Sequence, residues 1–145
     1  MNKGISFEDY LAEHGSLTYT NVGTSMLPLL RQGRDLFTVS RKGPERCKVG
    51  DVVLYRRPPK RYVLHRIVEV RPESYVLLGD NCVNREYGIT DADILGVMTG
   101  FTRAGKTYSV ADPRYRAYTA LCLKTAPARI AGMKLSWKIK RLLHE

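Results

Sequence analysis

After Gly15 the apolar and polar positions fall into short runs of strand character, with the two-residue alternation clearest from Tyr62 to Val70. Leu17 to Val22, Asp35 to Val39, Asp51 to Tyr55, Tyr62 to Val70 and Tyr75 to Leu78 each read as strands. The third is nearly continuous in apolar residues, as a strand covered on both faces would be. Gly96 to Arg103 and Lys106 to Val110 read as a hairpin turning at Ala104-Gly105. Glycine, proline and basic residues punctuate the strands: Lys42-Gly43-Pro44 ends one, and Arg56-Arg57-Pro58-Pro59-Lys60-Arg61 reads as a solvated basic turn.

Helical signals lie towards the two ends. Ser6 stands where an N-cap would, with Asp9 at the capping-box position and Gly15 as the stop. Thr90 caps a short helical turn over Asp91-Ala92-Asp93. Asp112-Pro113 opens a longer helix, with the proline at its first position. That helix is predicted to run to about Lys124, with Pro127 breaking it and a second helix following to the end. In this last segment Ile130, Met133 and Trp137 fall on one side, and Leu135, Ile139, Leu142 and Leu143 on another. Lys134, Lys138, Lys140 and Arg141 lie between the two. This is not a tidy amphipathic helix, and two outcomes stay open: one side docks on the rest of the chain and leaves the other for a partner or an anionic membrane surface, or the segment is disordered in isolation. The fold class expected is mainly β, a coiled sheet or partly open barrel with a short N-terminal helix. The expected division is a β domain over residues 1–112 and a basic helical tail over 113–145.

Composition changes this picture in one respect. The chain of 145 residues carries a net charge of +10, but residues 1–102 contribute only +2 and residues 103–145 the other +8. The positive charge belongs to the tail. The three cysteines, Cys47, Cys82 and Cys122, are odd in number and in no metal-ligand spacing, which fits a reducing compartment. No metal or cofactor site is expected. The polar start and the lack of an apolar run of about 20 residues give a cytoplasmic protein as the expectation, with at most peripheral membrane contact through the tail.

Candidate chemistry sits at three places. Ser25 lies in Val22-Gly23-Thr24-Ser25-Met26-Leu27-Pro28-Leu29-Leu30, between a strand and a turn that Pro28 is placed to start as a helical one. A serine hydroxyl needs a base within hydrogen-bond reach to become a nucleophile. His65 lies within an apolar strand, where it shares a face with Val63 and Ile67. Partial desolvation there would keep it neutral and able to accept a proton. An acidic turn, Gly79-Asp80-Asn81, follows the next strand. Singly, a turn serine and a strand histidine are commonplace; the ordered set of three carries the argument.

That set resembles the signal peptidase and LexA-type serine peptidase superfamily over roughly residues 20 to 102. The matching segments are GTSMLPLLRQGRD, then GDVVLYRRPPKRYVLHRIVEV, then YVLLGDN with ILGVMTG. Histidine rather than lysine at the base position is similar to the endoplasmic-reticulum and archaeal branch. Two departures from the pattern are read: no N-terminal anchor helix is expected, and Arg34 stands inside the Gly-Asp pair. The chain also has Gly23 two before the serine, and Cys82-Val83-Asn84-Arg85-Glu86 where further aspartates would stand.

The resemblance implies a LexA/signal-peptidase-like fold and a serine endopeptidase acting on a signal or leader peptide. Ser25 would be the nucleophile, His65 the base and Asp80 the acidic member, with Glu86 as its rival. The substrate would be an extended peptide added to a sheet edge. Two other classes are weighed beside it. One is a LexA-like self-cleaving regulator, disfavoured by the 24 residues before Ser25 and by the histidine base. The other is a non-catalytic peptide- or nucleic-acid-binding module that keeps the fold, with the basic tail contacting phosphates; nucleic acid is the less expected partner.

Overall fold

Eight antiparallel strands form one open sheet in the computed structural model, which describes residues 5–58 and 61–144. The strands are β1 (Ser16–Thr20), β2 (Leu36–Arg41), β3 (Val52–Arg57), β4 (Arg61–Val70), β5 (Tyr75–Leu78), β6 (Glu86–Ile89), β7 (Ile94–Arg103) and β8 (Lys106–Ser109). Helix α1 (Phe7–His14) precedes them and helix α2 (Pro113–Leu143) follows. The spatial order is β1-β2-β7-β3-β4-β5-β6, with β8 pairing to β7 beyond the end of β3. Register shifts interrupt the ladders at Thr38/Val39, Leu54/Tyr55, Ile67/Glu69 and Tyr75/Leu77. Such irregularities increase local twist and let a long sheet coil on itself.

Coiling gives the sheet two buried faces. Leu17, Phe37, Val39, Val52, Leu54, Leu64, Met98 and Phe101 pack on one, covered by Leu11 of α1 and Tyr115 of α2. Val53, Tyr55, Ile67, Tyr75, Leu77 and Ile94 pack on the other. Strand β3 supplies both, which explains its unbroken apolar run. The parity expected along β4 holds: Val63 and Ile67 join the second cluster, Tyr62 and Leu64 the first.

The helix caps follow the sequence. Ser6 Oγ accepts from the Asp9 N–H at 3.0 Å, and Gly15 ends α1 in the left-handed region at φ 80°. Asp112 caps α2 through the Arg114 N–H at 2.8 Å, with Pro113 in the first turn. Ala104 and Gly105, both at positive φ, make the β7–β8 turn.

Three expectations are corrected. Helix α2 does not stop near Lys124; it is continuous through Pro127 for 31 residues. A proline removes one backbone donor and crowds the preceding turn. Here Ala126 and Ile130, on either side of it, are both buried against Leu78 and Val83. That packing holds the two turns in line. Glu86, expected in the loop over residues 82–86 after the acidic turn, instead opens the edge strand β6, paired to β5. Pro28 does not start the turn: it lies inside one closed by Leu27 N–H to the Thr24 carbonyl (3.2 Å) and Leu30 N–H to the Met26 carbonyl (3.0 Å). Pro59 and Lys60 of the predicted basic turn lie outside the described residues. Among the described residues no helix is long and apolar enough to cross a membrane.

Candidate active site

The Ser25 turn is pinned by its apolar residues. Met26, Leu29 and Leu30 are buried in the first core cluster, which leaves Thr24 exposed and Ser25 half-buried at the surface. Gly23, at φ 81°, donates its N–H to Gln32 Oε1 at 2.7 Å, tying the loop across its base. Arg34, the residue that interrupts the Gly-Asp pair, grips the buried Asp35 carboxylate through Nε at 2.8 Å and Nη2 at 3.0 Å. The same carboxylate accepts the Arg31 and Ala104 N–H groups. Asp35, held by Arg34, thus ties the far end of the serine loop to the β7–β8 turn.

The Gly79-Asp80-Asn81 turn docks onto this loop. The Asn81 N–H donates to the Ser25 carbonyl at 2.8 Å and its side-chain amide to the Thr24 carbonyl at 3.1 Å. Gly79 is the meeting point. A Cβ built there would lie 2.7 Å from the Ser25 carbonyl oxygen and 3.1 Å from His65 Cδ2. Only a residue without a side chain lets the serine loop, the acidic turn and the histidine ring approach one another this closely. Ser25 and His65 consequently open onto one cleft of about 680 Å³, with Tyr62, Asn81, Val83 and Trp137 among its walls. Among the described residues their side chains are not hydrogen-bonded to each other. Catalytic hydrogen bonds often close only when substrate is seated.

His65 is buried, and its other ring nitrogen is engaged. Nδ1 lies 3.2 Å from the Tyr55 hydroxyl, and that hydroxyl donates to Glu86 Oε1 at 2.7 Å. Glu86 is held in turn by Arg57 Nε and Nη2. With its proton committed to Glu86, the Tyr55 oxygen faces Nδ1 as an acceptor. The imidazole therefore carries its hydrogen on Nδ1 and offers the Nε2 lone pair.

Electrostatics agree with this tautomer. Burial, with Arg57 as a second cause, lowers the His65 pKa from 6.5 to about 4, so the ring is neutral. Burial pushes the Glu86 carboxyl up, but hydrogen bonds from Arg57 and Tyr55 outweigh it and the group stays below its usual range. Burial and Glu86 together raise the Tyr55 phenol well above its ordinary value, which keeps it a donor.

Asp80 is held elsewhere. Its carboxylate takes a two-pronged ion pair from Arg66, Nε at 2.8 Å and Nη2 at 2.9 Å, plus the Tyr118 hydroxyl at 2.8 Å. Among the described residues none of its hydrogen bonds reaches His65. The physical reason is strand parity. His65 and Arg66 are consecutive in β4 and point to opposite faces, and Asp80 goes with Arg66. The acidic group linked to the histidine is Glu86, one residue removed through Tyr55. Sequence reasoning named Glu86 as the rival but passed over Tyr55 and Arg57, assigning one to a buried strand and the other to a solvated turn. The signal lay in hairpin register. Val53 pairs with His65 and Tyr55 with Val63, so Tyr55 is diagonal to His65 on the same face.

Among the described residues no cluster of His, Cys, Asp or Glu has the geometry of a metal site. No protein-family model, curated protein or solved structure matches the chain.

The His65 environment predicts a pH dependence of folding. The unfolded imidazole takes up its proton near pH 6.5, while the folded one resists until about pH 4. Between those values the unfolded chain binds more protons, so stability falls as pH falls. The loss attributable to His65 is of order 3 kcal/mol, complete below about pH 4. Urea midpoints at pH 7 and pH 5 check this: the drop should be clearly smaller in His65→Gln than in the parent.

Proposed function

We propose that this chain is a signal-peptidase-like serine endopeptidase that cleaves a signal or leader peptide. The observation that carries the reading is the disposition of His65. Its Nδ1 is tethered through Tyr55 to Glu86, while its ring and Ser25 meet across Gly79 at one cleft. Ser25 Oγ would attack the peptide carbonyl as Nε2 takes its proton, and the imidazolium would then protonate the leaving amine. Water would release the acyl group from Ser25 by the same steps reversed. The Ser25 N–H, which has no acceptor among the described residues, is the oxyanion donor. Tyr55 and Glu86 act as positioning residues: they fix the tautomer and stabilise the imidazolium, the part an aspartate plays in a direct triad. A half-apolar cleft beside an open sheet suits an extended peptide, and the resemblance adds small residues before the cut.

The test is cleavage of synthetic signal and leader peptides, followed by mass spectrometry, with Ser25→Ala run in parallel. Defined cuts made by the parent alone support the proposal. Cuts made equally by both proteins, or by neither, sink it. The intervening tyrosine makes a sharper expectation. Tyr55→Phe and Glu86→Gln should each lower kcat roughly ten- to a thousand-fold with little change in KM. Both should also move the acid limb of kcat/KM, which in the parent lies well below pH 6.5 because His65 is neutral down to about pH 4. An acid limb unmoved by either substitution would remove Tyr55 and Glu86 from the mechanism.

A further inference from the structure

Helix α2 divides near Met133. On the N-terminal side of that point it is bound to the sheet. Ala126, Ile130 and Met133 pack on Val68, Leu78, Cys82 and Val83, and Arg129 donates to the Cys82 carbonyl at 2.9 Å. From Lys134 to His144 every residue is exposed. That segment is nevertheless rich in large apolar side chains: Leu135 is 58 % exposed, Ile139 48 %, Leu142 61 % and Leu143 78 %.

The pattern is not random. At about 100° per residue, Leu135, Ile139 and Leu142 form one stripe, which Leu143 widens and the exposed Leu121 extends backwards. The stripe points away from the face that carries Ala126, Ile130 and Met133. Lys134, Lys138 and Arg141 run along one border, and Lys140 lies beyond the other. Between Pro113 and His144 there is no acidic residue at all.

We infer that the last three turns of α2 are an interfacial segment that lies on an anionic phospholipid surface, with the leucine stripe among the acyl chains and the lysines and arginine at the headgroups. Charge selects this occupant. Two copies packed stripe to stripe would bring cationic borders together with no carboxylate between Pro113 and His144 to answer them. A nucleic acid would use the lysines but leave Leu135, Ile139 and Leu142 in water. A membrane with anionic headgroups uses both sets at once. The inference rests on the helix alone and stands apart from the peptidase reading. It would nevertheless serve that reading, because Trp137 on the inner side of the same segment lines the Ser25–His65 cleft. The bilayer and the cleft would lie on opposite sides of one helix, about 10–12 Å apart.

The experiment is co-sedimentation of the full chain with phosphatidylcholine vesicles, plain or doped with phosphatidylglycerol, at low and high salt. The parent should bind doped vesicles, lose binding as salt rises, and bind plain ones at least about tenfold more weakly. Leu135→Gln/Ile139→Gln/Leu142→Gln and Lys134→Gln/Lys138→Gln/Arg141→Gln should each weaken binding about tenfold or more. All six positions are exposed, so unchanged unfolding curves are expected for both variants and confirm that the fold is intact. The inference is overturned if doped vesicles are not bound, if plain vesicles bind equally, or if either triple variant binds like the parent. Salt-sensitive capture of an RNA duplex without vesicle binding also overturns it, in favour of a nucleic-acid surface. A dimer abolished by the glutamine stripe, again without vesicle binding, overturns it in favour of self-association.

Discussion

Alanine at position 25 is expected to bring peptide cleavage down by a factor of roughly 10⁴–10⁶, to the level of residual transition-state binding, while the protein unfolds at an unchanged denaturant concentration. The two halves of this expectation have separate causes. Stability should hold because the Ser25 side chain does no structural work: among the described residues its hydroxyl makes no hydrogen bond. Its backbone does that work, through the carbonyl that accepts Asn81, and the flanking Met26 anchors the loop in the core. The drop should be that large because no neighbouring side chain replaces the proposed nucleophile. Thr24 is one residue away, but its carbonyl is fixed by the Asn81 amide and its side chain is exposed. Substrate affinity should survive, since the cleft walls are untouched, so the loss belongs in kcat rather than KM. Unfolding and cleavage measured on one preparation distinguish this from a trivial loss of structure. Cleavage undiminished in Ser25→Ala removes the serine from the reaction, and a large drop in the unfolding midpoint contradicts the structural argument.

How much of this was legible in the sequence depends on whether local or cross-strand information decides each feature. Local chemistry was readable. The cap at Ser6, the stop at Gly15, the Ala104-Gly105 turn and the Asp112-Pro113 helix start all depend on a few adjacent residues. Strand β5 is bounded by charge and glycine and was read to the residue. Periodicity placed His65 and Arg66 on opposite faces. What periodicity does not carry is which strand lies next to which, or in what register. Glu86 therefore read as loop, and Tyr55 as an ordinary core aromatic. The continuity of α2 through Pro127 was hidden for a related reason. Proline opposes a helix through local backbone chemistry, and only tertiary packing at Ala126 and Ile130 overrides it. The Gly-Asp-Asn turn, from which the acidic member of the set is expected, does sit beside the site. It contributes Asn81 to the serine loop, while its aspartate turns inward to Arg66.

That inward pair should matter to stability more than any other polar group among the described residues. Asp80→Asn is expected to cost about 3–5 kcal/mol, the usual penalty for leaving a buried charge without its partner. Both side chains are essentially inaccessible, at 1 % for Arg66 and 2 % for Asp80. Burial works against the Arg66 cation, and Asp80 more than offsets it, so the guanidinium stays charged. Its remaining contacts cannot neutralise it. Nη1 is spent on the Gly50 carbonyl, Tyr115 and Thr119, all uncharged. The pair joins β4, the acidic turn and α2, so its loss should loosen the dock between the helix and the sheet. The double variant Arg66→Met/Asp80→Leu removes both charges, and it should be less destabilised than Asp80→Asn alone. Activity separates structure from catalysis. Asp80→Asn disturbs the turn that fixes Ser25 and should lower kcat while leaving the acid limb of the pH profile in place. Glu86→Gln should move that limb with a smaller change in stability. The reverse pattern, an unmoved unfolding midpoint and a shifted pH profile in Asp80→Asn, would return the acidic role at His65 to Asp80 and reduce Glu86 to a surface partner of Arg57.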